Sequence, residues 1–371
     1  MQREAMALRS LGFKVDVFSL SETEPPAPEP GKIYDGIQVH QLPIQRKKRG
    51  ASRNLLEYVA FFFLTFLSLT FSHLRNPFDV IQINTMPDFL VFASLIPRLL
   101  GAKVVLQMYE PMPELWATLH KALLPVVLLR HIQQWSIRYA HAIFVVTQSL
   151  KEKVVAHGAE ANKITVVLNA PDEQLFGPPV VSNVSPDNCF TLICHGAIEE
   201  RYGHDTMLRA IAAVKAFIPG LQLRILGNGS YRAEFLALRE ALGLSDQVQY
   251  LGYVPLDQLL TELSQADVGL VAQKASPYSH LVHTGKMYDY LALGKPVIVS
   301  RLQAVQAYFD DDSLCFFEPG NPEDLARAIL ELYQQPDKRR SLVASSQRLY
   351  NQYKWEKQKE IYLSVYRALS K

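Results

Sequence analysis

Residues 280–300 read HLVHTGKMYDYLALGKPVIVS. Lys286 and Asp289 stand three apart, so on a helix they share one face. His280 and His283 lie just upstream. A cation in the first turn of a helix opposes the local dipole, which suits Lys286 to an anionic ligand such as a phosphate better than to a plain surface ion pair. Asp289, one turn on, offers the acceptor oxygens that ribose hydroxyls need. A second group is CHGAIEERYGHD, residues 194–205. There a strand ends at Gly196, Arg201 rides a short loop and Gly203 opens a helix. Free backbone N–H groups, the helix dipole and a guanidinium together suit a diphosphate, while Asp205 fits a helix cap. A third is LGNGS, residues 226–230, where Gly227 permits a tight turn and the close approach of a ligand. Each has a plain alternative: a surface salt bridge, a solvated loop, an ordinary turn. The G-x-G-x-x-G spacing of a dinucleotide fingerprint is absent.

These groups need elements to hold them. FDVIQIN, AKVVLQMYE, AIFVVT and KITVVLN read as strands, separated by helical stretches that include MPDFLVFASLIPRLLG and a long helical region up to Tyr139. After GPPVVSNVSPDN (177–188), a linker composition, the alternation restarts with FTLICHG and continues through KPVIVS and SLCFFEPG. The last forty residues read as helical. Strand–helix alternation implies parallel sheets, so the fold class is α/β with two tandem Rossmann-like, doubly wound domains. The boundaries expected are a first domain over 1–178, a linker over 179–188, a second domain over 189–353, and a C-terminal helix over 354–371 that packs back on the first domain. A length of 371 residues fits two domains.

Composition narrows the class. The chain is 49% hydrophobic and 20% charged with a net charge of +2, which carries no nucleic-acid signature. The three cysteines, Cys189, Cys194 and Cys315, lack metal spacing and fall in apolar runs, as buried reduced thiols do; no metal or cofactor site is expected. There is no cleavable signal pattern at the start. SETEPPAPEPG (21–31) reads as a loop. RKKRG (46–50) is a cationic run ahead of LLEYVAFFFLTFLSLTFSHL (55–74), which carries no charge for 17 residues after Glu57. Three readings of that segment stay open: a buried or half-buried domain helix, a helix lying against a membrane with the cations facing anionic lipid, and a span.

Taken in order, the G-x-x-x-x-R-x-G-like loop, the Gly-rich turn after the next strand, and K-x-x-[DE]-Y-x-A-x-G-K-P-V-I resemble the family 4 glycosyltransferases of the GT-B fold. REAMALRSLGFKVDVFSL, YEPMPELW and KITVVLNAPDEQLF in the first half agree, so the resemblance covers essentially the whole chain. It implies a retaining transfer of a sugar from a nucleotide-sugar donor (UDP- or GDP-sugar) to a glycan or lipid-linked acceptor, without an obligatory metal, at the cytoplasmic face of a membrane. Arg201 and Lys286 would stabilise the leaving diphosphate. Gly196, Gly227 and Tyr253, in LGYV (251–254), would line the nucleotide site with them, and Asp289 would stand in place of the family's ribose-binding glutamate.

The chain also departs from the family. Ala197 and Tyr202 occupy positions that often hold an arginine and a lysine. The two-glutamate signature is missing: Leu281 is eight back from Asp289, and a subgroup with one more residue of spacing has His280 there. His280 and His283 are the donor-sugar candidates, the alternative being solvated loop histidines. Tyr109-Glu110 replaces a frequent His-Asp pair on the acceptor side. Relatives also start with an extra strand, so the first sheet is expected to lack its first strand and Met1 to be internal to a longer natural chain. Intact mass from the native source tests this; a mass of residues 1–371 alone contradicts it. A non-catalytic relative that binds nucleotide-sugar and a nucleotide-sugar epimerase are the competing functions.

Overall fold

The computed structural model describes residues 2–21, 33–34, 36–45, 51–120, 123–176 and 189–370. The linker expected over 179–188, the cationic run 46–50 and nearly all of the 21–31 loop lie outside the described residues. The chain divides into two compact units. Unit 1 comprises Met1–Val167 with Gln358–Lys371, and unit 2 comprises Leu168–Lys357.

Unit 1 opens on α1 (Gln2–Ser10), β1 (Asp16–Ser21), β2 (Ile33–Tyr34), β3 (Ile37–Gln45) and α2 (Ala51–Arg75). It continues through β4 (Val80–Asn84), a 3-10 run over Asp88–Ser94, α3 (Leu95–Leu99), β5 (Lys103–Met108), α4 (Met112–Leu119), α5 (Leu123–Tyr139), β6 (Ala142–Val145), α6 (Gln148–Ala156) and β7 (Ile164–Val166). The stretch MPDFLVFASLIPRLLG is therefore not one α-helix. Pro97 has no N–H to give the preceding turn, and the residues before it tighten into 3-10 geometry. The long helical region likewise breaks into α4 and α5.

Its strands form two sheets. One has the order β1-β3-β2, and the other, fully parallel, the order β4-β5-β6-β7. Among the described residues β1 pairs only with β3, and β4 only with β5. Phe18 of β1 and Phe78, just ahead of β4, meet edge to face with ring centroids 6.4 Å apart. Residues of the C-terminal helix reach β4, where the Tyr362 hydroxyl donates to Gln82 Oε1 at 2.7 Å and Tyr366 donates to the same oxygen.

In α2 the residues Val59, Phe63, Leu67, Phe71 and Leu74 are exposed, while Thr65, Leu69 and His73 are buried. Steps of four, four, four and three place the exposed set on one helix face, so only the opposite face serves the core. The run Glu57–Arg75 is long and apolar enough, by length and composition alone, to cross a membrane.

Unit 2 runs β8 (Phe190–His195), α7 (His204–Val214), β9 (Leu221–Leu226), α8 (Arg232–Ala241), β10 (Val248–Gly252), α9 (Leu256–Gln265), β11 (Val268–Val271) and α10 (Gly285–Ala292). Then come β12 (Val297–Ser300), α11 (Gln303–Gln306), β13 (Cys315–Phe317), α12 (Pro322–Gln334) and α13 (Pro336–Tyr350), before α14 (Trp355–Leu369) closes the chain. Its six strands form one parallel sheet in the order β10-β9-β8-β11-β12-β13. β8 is buried at all six positions, as a central strand covered on both faces must be. The strand order reverses between β8 and β11. In such sheets ligands bind outside the carboxyl ends of the strands at that reversal. The chemistry-bearing loops of unit 2 leave the sheet there.

Candidate functional site

β8 delivers His195 and Gly196 to the carboxyl edge, and the loop behind them carries Arg201 and Tyr202 into α7. β9 delivers Gly227. Gly227 has φ +129°, and a Cβ on it would stand 1.9 Å from the Gly196 carbonyl oxygen, so the two strand ends pack backbone to backbone. The Glu199 carboxylate accepts from the Ser230 hydroxyl and backbone N–H, tying the two loops together. On the other side of the reversal, the Lys274 backbone N–H donates to the Arg201 carbonyl at 2.9 Å. The Lys274 ammonium pairs with Asp205 at 2.9 Å. Asp205 therefore does not cap α7. The cap position is Gly203, and Asp205 is turned to Lys274.

Lys286 enters from the first turn of α10. Its Cε passes so close to Gly196 that a Cβ there would lie 2.6 Å away, so this glycine makes room for the side chain. The ammonium rests 4.3 Å from the centre of the Tyr202 ring, and the Arg201 guanidinium carbon lies 4.8 Å from the same centre. Tyr202, at a position often held by a lysine in the resembling family, instead gives two like charges a shared π surface. Burial holds the Lys286 ammonium below its ordinary value, and the charge on Arg201 adds to this while Asp289 opposes it. Neither α7 nor α10 has a side-chain cap at its N-terminus. Two helix starts and two cations at one edge make a field favourable to anions.

Asp289 does not close a helix-face salt bridge with Lys286. Its Oδ2 is 3.0 Å from Nε2 of His195, a residue that lay unnoticed in the sequence as the last of a buried strand. His195 Nδ1 lies 3.1 Å from the Tyr290 hydroxyl. His280 is partly exposed and its Nδ1 accepts from the Gln303 N–H at 3.4 Å. His283 is buried instead, between the rings of Tyr288 and Tyr308, with Nε2 3.3 Å from the Tyr288 hydroxyl. Burial pushes its imidazole down to about 4, so the ring is neutral near pH 7. His204, the first residue of α7, is likewise pushed down to about 4 by burial, with the Lys286 charge adding. Tyr253 is 69% exposed just past β10.

Two sequence candidates lie in unit 1, at the end of β5. The Tyr109 hydroxyl donates to buried Glu4 at 2.7 Å, and burial raises that phenol well above its ordinary value. Glu110 follows it, half-buried. Among the described residues no group of three or more histidine, cysteine or carboxylate side chains is arranged to hold a metal ion. Cys194 and Cys315 are buried free thiols and Cys189 is partly so.

Solved structures first place this architecture. Sucrose-phosphate synthase from Thermosynechococcus elongatus superposes with a TM-score of 0.80 over 99% of this chain and 92% of its own, at 18% identity. Anabaena HepE, in complex with UDP, gives 0.68 over 96% and 99%, at 16% identity. The fold is the two-domain GT-B type. The model described as "Glycosyl transferase 4-like domain" matches residues 1–170, and "Glycosyl transferases group 1" matches 181–349. The chain belongs to the group 1 glycosyltransferases.

Among curated relatives, the lipopolysaccharide core biosynthesis glycosyltransferase LpsE of Rhizobium meliloti is 26% identical over 40% of this chain and 41% of its own length. A GDP-mannose-dependent monoacylated alpha-(1-6)-phosphatidylinositol monomannoside mannosyltransferase of Corynebacterium glutamicum is 24% identical over 46% and 45%. These matches span less than half of each relative. The 2-deoxystreptamine glucosyltransferase of Streptomyces kanamyceticus is 23% identical over 71% and 70%.

Proposed function

We propose that the chain moves a sugar from a nucleotide-sugar donor to a glycan or lipid-linked acceptor, with retention at the anomeric carbon and without an obligatory metal. The observation that carries this reading is the meeting of Lys286 and Arg201 on the Tyr202 ring, beside two helix N-termini without side-chain caps. As the glycosidic bond breaks, the sugar gains oxocarbenium character and negative charge collects on the leaving diphosphate. Cations already in place stabilise that state without having to reorganise. They are also the charges that a divalent metal would otherwise supply. An anionic donor beside Lys286 offsets the desolvation that lowers its pKa, so donor binding and full protonation of Lys286 support each other.

In this reading Asp289 accepts from a ribose hydroxyl and exposed Tyr253 meets the base. His280 is the histidine left for the donor sugar, since His283 is enclosed by rings. Glu110 is the acceptor-side candidate, because Tyr109 is engaged by Glu4. Curated relatives named for lipopolysaccharide core and phosphatidylinositol mannoside synthesis support a lipid-linked acceptor. The apolar stripe of α2 supports peripheral contact at the cytoplasmic face of a membrane.

The test is an assay of purified protein with UDP- and GDP-sugars and lipid-linked glycan acceptors, with and without EDTA. Acceptor-dependent release of nucleoside diphosphate, insensitive to EDTA, with the donor's anomeric configuration kept in the product, is expected. Donor conversion without acceptor would instead mean epimerisation, and nucleotide-induced stabilisation without turnover would mean a binding relative.

A further inference from the structure

The contact that the sequence hid is His195 against Asp289. It belongs to a three-step chain. The Tyr290 hydroxyl sits 3.2 Å from the Ile193 carbonyl oxygen and 3.1 Å from His195 Nδ1, and His195 Nε2 sits 3.0 Å from Asp289 Oδ2. Tyr290 is fully buried and His195 is 7% exposed, whereas the Asp289 side chain is 23% exposed. The chain thus starts in the core and ends at the rim. Space for it is provided on β11, where a Cβ on Gly269 would stand 2.3 Å from the Tyr290 ring. The His195 and Tyr290 rings meet edge to face, 5.2 Å apart at 85°.

Hydrogen bookkeeping fixes the direction. An ionised carboxylate only accepts, so Nε2 must carry a proton toward Asp289. Nδ1 then either accepts from the Tyr290 hydroxyl or, in the imidazolium, donates to it while the hydroxyl donates to Ile193. Both arrangements leave Nε2–H on Asp289. With Oδ2 so engaged, Oδ1 is the oxygen left for a ligand. Asp289 is also one methylene shorter than the glutamate of the resembling family, and a short arm serves a ligand well only when its rotamer is held.

We propose that His195 is a positioning residue: its Nε2–H locks the Asp289 carboxylate in the orientation that receives the donor ribose, and Tyr290 locks His195. This rests on the reading of Asp289 as the ribose partner. His195 touches no reacting atom; it acts through Asp289. The consequence is specific to the sugar hydroxyls of the nucleotide and leaves the diphosphate contacts of Arg201 and Lys286 alone.

The experiment is calorimetric titration of the full chain with UDP, GDP and their 2′-deoxy and 3′-deoxy counterparts, with pyrophosphate as the probe of the phosphate contacts. Wild type is expected to favour the ribonucleotide over at least one deoxy form by about tenfold or more, the worth of a hydrogen bond to a charged group. Asp289→Ala should erase that preference. His195→Ala should erase most of it and leave pyrophosphate binding unchanged. His195→Gln, which retains an Nε2 donor, should restore it, and Tyr290→Phe, which keeps the ring, should fall between. If Asp289→Ala keeps the preference, the ribose reading itself fails and the role of His195 with it. If Asp289→Ala loses the preference while His195→Ala and Tyr290→Phe keep it, His195 is only structural and the proposal is overturned. Should His195→Ala fail to fold, Tyr290→Phe decides: a preference weakened there, and kept in His195→Gln, upholds the proposal, and a preference untouched in Tyr290→Phe overturns it.

Discussion

The two units are built from the same strand–helix alternation and end differently. Unit 2 closes its six strands into one parallel sheet, and the reversal of strand order beside β8 gathers Gly196, Arg201, Lys286 and Asp289 at one edge. Unit 1 splits its strands into a sheet of three and a sheet of four, with β1 and β4 each paired on one side among the described residues. Cations and helix starts meet at that edge in unit 2, while the unit 1 candidates Tyr109 and Glu110 follow β5, away from the split, and the Tyr109 hydroxyl is taken by Glu4 of α1.

The sharpest way to break this contrast is through activity. Arg201→Ala and Lys286→Ala are each expected to lower turnover by about a hundredfold or more, in line with removal of a preorganised charge stabiliser. Tyr109→Phe, which leaves the Glu110 carboxylate in place, should cost less than about tenfold. Steady-state rates measured alongside circular dichroism separate these from folding defects. A larger loss in Tyr109→Phe than in Lys286→Ala would reverse the roles given to the units.

A middle-sized effect is expected at Tyr202. Tyr202→Leu removes the ring beneath both cations, a surface worth about 1–2 kcal/mol where it is desolvated. The donor KM should rise about tenfold, and the alkaline limb of donor binding should move to lower pH as the Lys286 ammonium loses its π partner. Lys286 binds an anion while protonated, so affinity is present below its folded pKa and lost as pH rises through it. Lys286→Arg, protonated throughout, should abolish that limb if the cation alone is required. A pH–affinity profile checks both variants.

The units should also differ in the sign of their pH-dependent stability. In unit 2, His204 and His283 are held at about 4 against an ordinary 6.5. The unfolded chain takes up their protons first, so stability present above about pH 6.5 is lost as pH falls toward 4. In unit 1, burial raises Asp88 from 3.8 to about 7, with Glu114 adding and Gln133 opposing. There the folded state holds the proton longer, so stability present below pH 3.8 is lost as pH rises toward 7. Asp88→Asn should stabilise unit 1 at pH 8, by on the order of 3 kcal/mol, and His283→Phe should flatten the acid loss in unit 2. Thermal melts from pH 4 to 8 read both. Equal slopes for the two variants would contradict the assignment.

The smallest effects expected are at the surface. Phe63→Ser, Leu67→Ser and Phe71→Ser together should weaken co-sedimentation with anionic liposomes while the melting temperature stays within a few degrees, because all three are exposed. Hydrogen exchange should find β1 and β4, each paired on one side among the described residues, faster than β8, which is paired on both sides.

How legible this was depends on where each interaction closes. Lys286, Arg201, Gly196 and Gly227 could be found in the sequence because each sits at a strand end or helix start, and those positions are written in local periodicity. The two-domain α/β class was legible for the same reason. His195 was not, because its meaning is a contact with a residue 94 positions away, and in the sequence it is simply the end of an apolar strand. Its position just before the first loop glycine, on the carboxyl edge, was the available signal. His283 misled in the opposite way: a polar loop surrounds it in sequence, while Tyr288 and Tyr308 enclose it in space. The split of MPDFLVFASLIPRLLG was foreshadowed by Pro97 in the middle of an otherwise helical apolar pattern.

The central claim is that the Arg201 and Lys286 charges, gathered on Tyr202, hold the donor diphosphate. The most direct test is calorimetric titration of UDP, GDP and pyrophosphate into wild type, Lys286→Ala and Arg201→Ala at neutral pH. The account predicts that each variant, folded by circular dichroism, loses affinity for all three ligands in the same proportion, by about tenfold or more. Unchanged pyrophosphate binding in both variants would contradict it.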